Sequence, residues 1–394
     1  MVFHRVPPRG GSSPGPALPP APLEPSLHVA LVTEFYYPHL GGVTEHVHFL
    51  RRELLARGHR VTIVTSNMKP VGPDAPDVVR LGTSRVLPSN GSLARLTTGW
   101  GLSRRLERVF RERRVDLVHV HGGLAPTFGI LAPRAAERAG IPAVATFHSW
   151  FRRSLAYACF RRPLARDCAR LAARIAVSEP VVHALSRYFD TDWEVIPNGV
   201  DTSAFHPNGR RPMDALGKHP RLLFLGRLDP RNGLGTVLEA MPGILSRYPK
   251  AELTVAGDGP LRPYYRRQAA PLGPRVRMVG RIYDERPEHY GTSDLYLCPT
   301  DKASFGITLL EAMACGTPLV VSDIPGFREL VDGGKEAVLV PAGDPAAWSR
   351  AVNQLLADPQ RRAEMGAAGR AKAERYAWPA VAERILAVYR RALA

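Results

Sequence analysis

Cysteine is scarce in this 394-residue chain. Cys159, Cys168, Cys298 and Cys315 are the only four, and no two are spaced as CxxC. That excludes a disulfide-stapled scaffold and a cysteine zinc site, so free thiols in a reducing compartment are expected. No apolar run approaches the ~20 residues of a membrane span. Residues 1–25 are rich in Pro, Gly and Ser and lack an apolar h-region. A disordered tail over 1–26 is therefore expected, not a signal peptide. A GxGxxG dinucleotide fingerprint is absent, as are helix-turn-helix, RRM and zinc-finger signatures, so no nucleic-acid partner is expected. No DxD-type diphosphate–metal motif and no pyridoxal-phosphate lysine motif is evident.

What is present is enough for two cores. The length fits two domains of roughly 150–200 residues, and 45% of the residues are hydrophobic. The net charge of +17 is uneven. Residues 1–200 hold 26 Lys+Arg against 15 Asp+Glu, and the remainder 27 against 21. Excess positive charge favours anionic partners such as nucleotides or acidic lipid, although much of it is Arg, which genome composition also produces.

Short apolar runs alternate with helical patterns, as in an α/β fold. Strands are expected at 28–33, 61–65, 117–121, 143–147, 174–178 and 193–196. After the polar stretch 201–219 the pattern restarts, with strands at 222–225, 252–255, 276–279, 295–297, 319–321 and 337–340. Buried strands separated by helices imply parallel βαβ units with right-handed crossovers. Two doubly wound, Rossmann-like halves joined near residue 200 would face each other across a cleft, where ligands sit in such folds.

Residues 304–316, SFGITLLEAMACG, carry the strongest functional signal. Ser304 is expected to cap a helix whose first turn holds Phe305, Gly306 and Ile307, with Gly306 allowing close approach to unpaired N–H groups. Such a tip suits a phosphate. Glu311 would stand about 10 Å further along the axis, where a ribose could reach it. Gly41 and Gly42, between the first strand and a helix at 44–57, allow close backbone approach. His121 and His148 each end a strand at the cleft, whereas His119 is expected on the opposite face, as a core histidine. As a pair, His121 and His148 could bind zinc, but no third ligand at suitable spacing is apparent. Arg227, after the first strand of the second half, can meet a diphosphate with bidentate hydrogen bonds. Residues 150–162 interleave aromatic and basic residues and 102–114 add six arginines; both suit an anionic membrane surface, or simply a solvated face.

These motifs, in this order, resemble the family-4 retaining glycosyltransferases of GT-B fold. The carriers are PHLGGV at 38–43, VIPNGVD at 195–201, Gly226–Arg227, AGDGP at 256–260, and 305–316 with Glu311. Within the family the chain looks most like bacterial phosphatidylinositol mannosyltransferase-like enzymes, which are peripheral membrane proteins. The resemblance implies an acceptor domain at 27–199, a nucleotide-sugar domain at 200–376 and a helix at 377–394 crossing back to the first. It implies no cofactor and no metal, a nucleotide diphosphate-sugar donor, a lipid or glycan acceptor, and a cytoplasmic or peripheral inner-membrane location. His121, Arg227 and Glu311 would be catalytic, facing the sugar, the diphosphate and the ribose. Gly41, Gly42, Arg231, Asn232, Gly257, Ser304, Phe305, Gly306 and Ile307 would bind donor, and His148 acceptor. Two positions depart from the family pattern: Ala303 stands where a sugar-binding Glu is usual, and Asn232 where a phosphate-binding Lys is usual. These departures motivate one alternative, a non-catalytic nucleotide-sugar or lipid-binding homologue; a second, a nucleotide-sugar epimerase, would be built on the same two-domain fold.

Overall fold

The computed structural model describes residues 25–39, 41–68, 74–89, 92–125, 127–207 and 219–394. The tail expected at 1–26 lies almost wholly outside these residues, as does much of the polar stretch near 210. Strands β1 (His28–Thr33), β2 (Arg60–Ser66), β3 (Val78–Leu81), β6 (Leu117–His121), β7 (Ala143–Phe147), β8 (Ala173–Ala176) and β9 (Glu194–Val195) form one parallel sheet. Its order is β3-β2-β1-β6-β7-β8-β9. A hairpin of β4 (Thr83–Ser89) and β5 (Ser92–Thr98) stands beside it. The second sheet holds β10 (Arg221–Leu225), β11 (Glu252–Ala256), β12 (Val276–Gly280), β13 (Leu295–Cys298), β14 (Leu319–Ser322) and β15 (Ala337–Val340). Its order is β12-β11-β10-β13-β14-β15.

Every residue of β1, β6 and β7 is buried, as it must be when helices cover both faces of a parallel sheet. In each sheet the strand order reverses beside the first strand, between β1 and β6 and between β10 and β13. The crevice at such a reversal is where open α/β sheets bind ligands. Thr33 pairs with His121 there, so the glycine loop after β1 and the end of β6 leave the sheet side by side.

The Trp378–Leu393 helix packs on the first sheet. Trp378, Ile385, Leu386 and Tyr389 share one buried cluster with Val29, Leu31, Ile63 and Leu50. Burial of that kind contributes about 2 kcal/mol for each large apolar side chain. The chain leaves the first half and returns to it at one place. Val200 N–H donates to the Tyr376 carbonyl at 2.9 Å, and Trp378 N–H donates to that of Val200 at 3.2 Å.

The expected strands are present with shifts at their ends; β3 and the β4–β5 hairpin were not expected. One correction concerns the motif at 304–316. The helix runs Ile307–Ala314, with Gly306 at its N-cap in a left-handed conformation (φ 112°) and no side-chain cap. Ser304 is not the cap, because the chain turns sharply at Gly306 before the helix begins.

Candidate active site between the two sheets

The glycine loop meets the helix tip across the cleft. A Cβ on Gly42 would lie 3.0 Å from Ile307 Cδ1, so two helix N-termini, Gly42–Ala56 and Ile307–Ala314, converge there. Gly306 approaches the Phe327 ring, 3.1 Å from an added Cβ. Phe305 is buried in the core near Tyr376, so only its backbone can face a ligand. Ser304 serves a different purpose from a cap. Its Oγ accepts from Trp150 N–H at 2.8 Å and its carbonyl accepts from Ser178 Oγ at 2.6 Å, tying the second half to the first.

Arg227 is half exposed at the end of β10, within reach of a ligand. It is held by a residue that the sequence reading missed. Asp229 Oδ2 accepts from Arg227 Nε at 2.7 Å, and the other guanidinium nitrogen lies at 2.6 Å. Asp229 Oδ1 also caps the short turn Pro230–Asn232 through Asn232 N–H. Asn232 itself ties the loop together: its amide donates to the Arg227 carbonyl at 2.8 Å and its oxygen accepts from Thr300 at 3.4 Å. Arg231 donates Nε to the Lys302 carbonyl at 2.7 Å. Gly257 abuts the Gly226 carbonyl, which leaves no room for a side chain, and its φ is 137°. That glycine is demanded by backbone packing of the loop under Arg227.

Glu311 is buried, and both of its oxygens are engaged. Oε1 accepts from Arg286 at 2.6 Å and Oε2 from the Tyr290 hydroxyl at 3.0 Å. Burial raises its pKa to about 6, against the lowering effect of the Arg286 charge. Arg286 then crosses to the first half, where it donates to Glu45 Oε2 at 3.2 Å; Tyr37 donates to Glu45 Oε1 at 3.0 Å. Ribose hydroxyls would have to use the remaining lone pairs of Glu311 or displace Arg286.

The end of β6 carries a histidine cluster. The rings of His119 and His121 lie on the same side of the strand, 4.0 Å apart. This corrects the expectation of opposite faces, because strand residues two apart share a face. His119 is satisfied on both nitrogens, by the Tyr389 hydroxyl at 2.6 Å and Thr146 Oγ1 at 2.7 Å. His121 Nδ1 lies 3.3 Å from His148 Nε2. A third ring joins them: His46 is 5.2 Å from His121 and 4.8 Å from His148 between centroids. His46 lies in the Gly42–Ala56 helix, three residues past the PHLGGV motif, and was not among the expected site residues. Asn198, in VIPNGVD, accepts from its Nδ1 at 2.9 Å. Burial lowers the pKa of all three rings, that of His46 to about 4, so they are neutral at pH 7.

Comparison with known proteins bears on this arrangement. Residues 40–204 match the family model "Glycosyltransferase Family 4", and 209–372 match "Glycosyl transferases group 1". The phosphatidyl-myo-inositol mannosyltransferase of Mycobacterium leprae is 34% identical over 373 residues, covering 92% of this chain and 96% of that protein. A GDP-mannose-dependent alpha-(1-6)-phosphatidylinositol monomannoside mannosyltransferase of Mycolicibacterium smegmatis is 30% identical, covering 86% and 92%. Among solved structures, Anabaena HepE in complex with UDP and glucose aligns with a TM-score of 0.72 at 19% identity, over 92% of this chain and 99% of its own. Sucrose-phosphate synthase from Thermosynechococcus elongatus aligns at 0.69 and 23% identity, over 93% and 98%. The fold is GT-B.

Proposed function

The chain belongs to glycosyltransferase family 4, and we propose that its cleft grips the donor diphosphate between the glycine loop and the Ile307–Ala314 helix tip. The enzyme transfers a hexosyl group from a nucleotide diphosphate-sugar to a lipid or glycan acceptor. The observation that carries our reading of the site is the approach of Gly42 to Ile307 across the cleft. Both helix starts present their positive ends there, where a leaving diphosphate gathers charge.

Arg227, oriented by Asp229, would donate to the diphosphate, with Arg231 beside it. Glu311 would accept from the ribose, and His121 would face the transferred sugar with His148 on the acceptor side. The bond from the anomeric carbon to the diphosphate oxygen breaks, and the electron pair leaves with the diphosphate. The acceptor hydroxyl attacks from the same face and passes its proton to the departing phosphate oxygen. No carboxylate is placed as a nucleophile in this scheme, so the anomeric configuration is kept by front-face attack. Closure of the two halves excludes water and limits donor hydrolysis. In this reading residues 27–199 hold the acceptor and 200–376 the nucleotide-sugar, with 377–394 crossing back.

The named relatives favour a mannose-type donor and a phosphoinositide-type lipid acceptor. A membrane-facing surface accords with that. Trp100 is fully exposed, Leu155 and Phe160 are largely so, and the arginines at 104, 105, 108, 152, 153, 161 and 162, which flank them in sequence, are exposed too. No helix among the described residues is long and apolar enough to cross a membrane. In this reading the enzyme sits peripherally on the inner face of the cell membrane. Co-sedimentation with anionic but not neutral liposomes is expected; binding indifferent to lipid charge would sink that part.

The test of the chemistry is a donor screen with UDP- and GDP-sugars, followed by NMR of the product anomer. Retention is expected, with consumption abolished in Arg227→Ala and Glu311→Ala. An inverted product would overturn front-face transfer, and full activity in both variants would overturn the site assignment.

A further inference from the structure

From the convergence of three histidine side chains at the C-terminal end of the first sheet, we infer a binding site for a transition-metal ion of the Zn2+ class. The ligands are His46, His121 and His148. One nitrogen from each lies within 4.8 Å of the other two. A tetrahedral ion with bonds of about 2.0–2.1 Å to imidazole sets its ligand nitrogens about 3.3 Å apart. His121 Nδ1 and His148 Nε2 already stand at 3.3 Å. His46, whose ligand nitrogen stands no more than 4.8 Å from the other two, completes the set by closing up to about 1.5 Å through side-chain rotation.

Two further observations single out His46. The first is orientation from behind. Asn198 Oδ1 can only accept, so His46 carries its proton on Nδ1 and keeps a lone pair on Nε2. A hydrogen bond on the far nitrogen is the usual support of a metal-binding histidine. The second is unmet demand. His46 Nε2, the nitrogen left to bind an ion, is buried with no hydrogen-bond partner among the described residues. Buried polar atoms of this kind ask for a ligand, an ion or a water. His119, 4.0 Å from His121, is satisfied on both sides and stays out of the set.

Three protein ligands leave a fourth position, which a water or an anionic oxygen would fill, as in open rather than closed zinc sites. Catalysis as described above does not use the ion. Resting on the reading that His121 faces the transferred sugar, occupancy by metal and by donor exclude each other. The ion would then inhibit transfer.

The full chain is titrated with CoCl2 and followed by the visible d–d bands that distinguish four-coordinate from six-coordinate cobalt. One equivalent of four-coordinate cobalt is expected, displaced by ZnCl2. His46→Ala and His148→Ala should each weaken binding at least tenfold, and Asn198→Ala by about 10-fold through loss of the orienting bond. Circular dichroism melts report whether each variant is folded. Only six-coordinate spectra from the wild type would overturn the site whatever the variants do. Wild-type affinity in a folded His46→Ala variant would overturn it equally. Added UDP- or GDP-sugar should raise the apparent cobalt dissociation constant; four-coordinate cobalt that a consumed donor leaves untouched would overturn the exclusion. A normal cobalt spectrum with no donor consumed would instead count against the transferase reading of the cleft and leave the metal site standing.

Discussion

Replacing Arg286 by methionine keeps most of its volume and removes the charge that links Glu311 to Glu45. Glu311 has a folded pKa of about 6 against an ordinary value of 4.5, because burial outweighs the attraction of Arg286. A raised carboxyl pKa means that its stability contribution is complete below pH 4.5 and is lost as pH rises through 6. At pH 7 that loss amounts to about 2 kcal/mol in the wild type. Without Arg286 the carboxyl stays protonated past neutrality, and the loss grows to about 3 kcal/mol. At pH 5 Glu311 is protonated in the folded state with or without Arg286, so the same difference nearly vanishes. The missing charged hydrogen bond to Glu45 adds about 1–2 kcal/mol at both pH values. Arg286→Met should therefore destabilise by about 1 kcal/mol more at pH 7 than at pH 5. Urea unfolding of wild type, Arg286→Met, Glu311→Gln and the double variant at the two pH values measures it. The pH-dependent part should disappear in the Glu311→Gln background. An equal effect at both pH values, or a larger one at pH 5, would refute the coupling of Glu311 to Arg286.

The same titration reaches donor binding. If the ionised Glu311 accepts from the ribose, the donor KM should rise as pH falls below about 6 and stay level above it. Glu311→Gln should give a high KM that no longer follows pH; a level wild-type profile from pH 5 to 7 would remove the carboxylate from the ribose site. Gly306→Ala forces a side chain into φ 112° and against the Phe327 ring at 3.1 Å. About 1–3 kcal/mol of stability should go, read by thermal or urea unfolding, and an unchanged protein would mean that the turn relaxes freely. Gly42→Val pushes a branched side chain toward Ile307, where even a Cβ stands at 3.0 Å. Transfer should fall at least tenfold in kcat/KM with little loss of stability. Ile307→Ala in the same chain should restore part of it, and failure of that rescue would place the damage elsewhere than at the tip.

The parallel strands were legible because a strand buried on both faces reads as an unbroken apolar run between glycine- and proline-marked turns. Strand β3 and the hairpin escaped for the converse reason. Val78–Leu81 contains Arg80, and Thr83–Ser89 contains Pro88 with Arg85 and polar residues, so neither carries that run. The donor motifs were legible as strings but not as geometry. SFGI reads as a capped first turn, yet Gly306 turns the chain left-handed, which frees Ser304 to bind Trp150 and Ser178 of the other half. Arg286 has no local signal, because its partners lie 25 and 241 residues away along the chain. His46 sits three residues past the PHLGGV motif, but its meaning comes from Asn198, 152 residues on, and from two strand ends. Alternation on β6 should have placed His119 and His121 on one face from the sequence alone. Had that been applied, the search for a third ligand would have turned to the helix lying over that face. Parallel sheets make this general: neighbouring strand ends converge at one edge, so residues far apart in sequence meet there without any local trace. The residues that decide chemistry in such a cleft are therefore the ones that a linear motif search is least able to group.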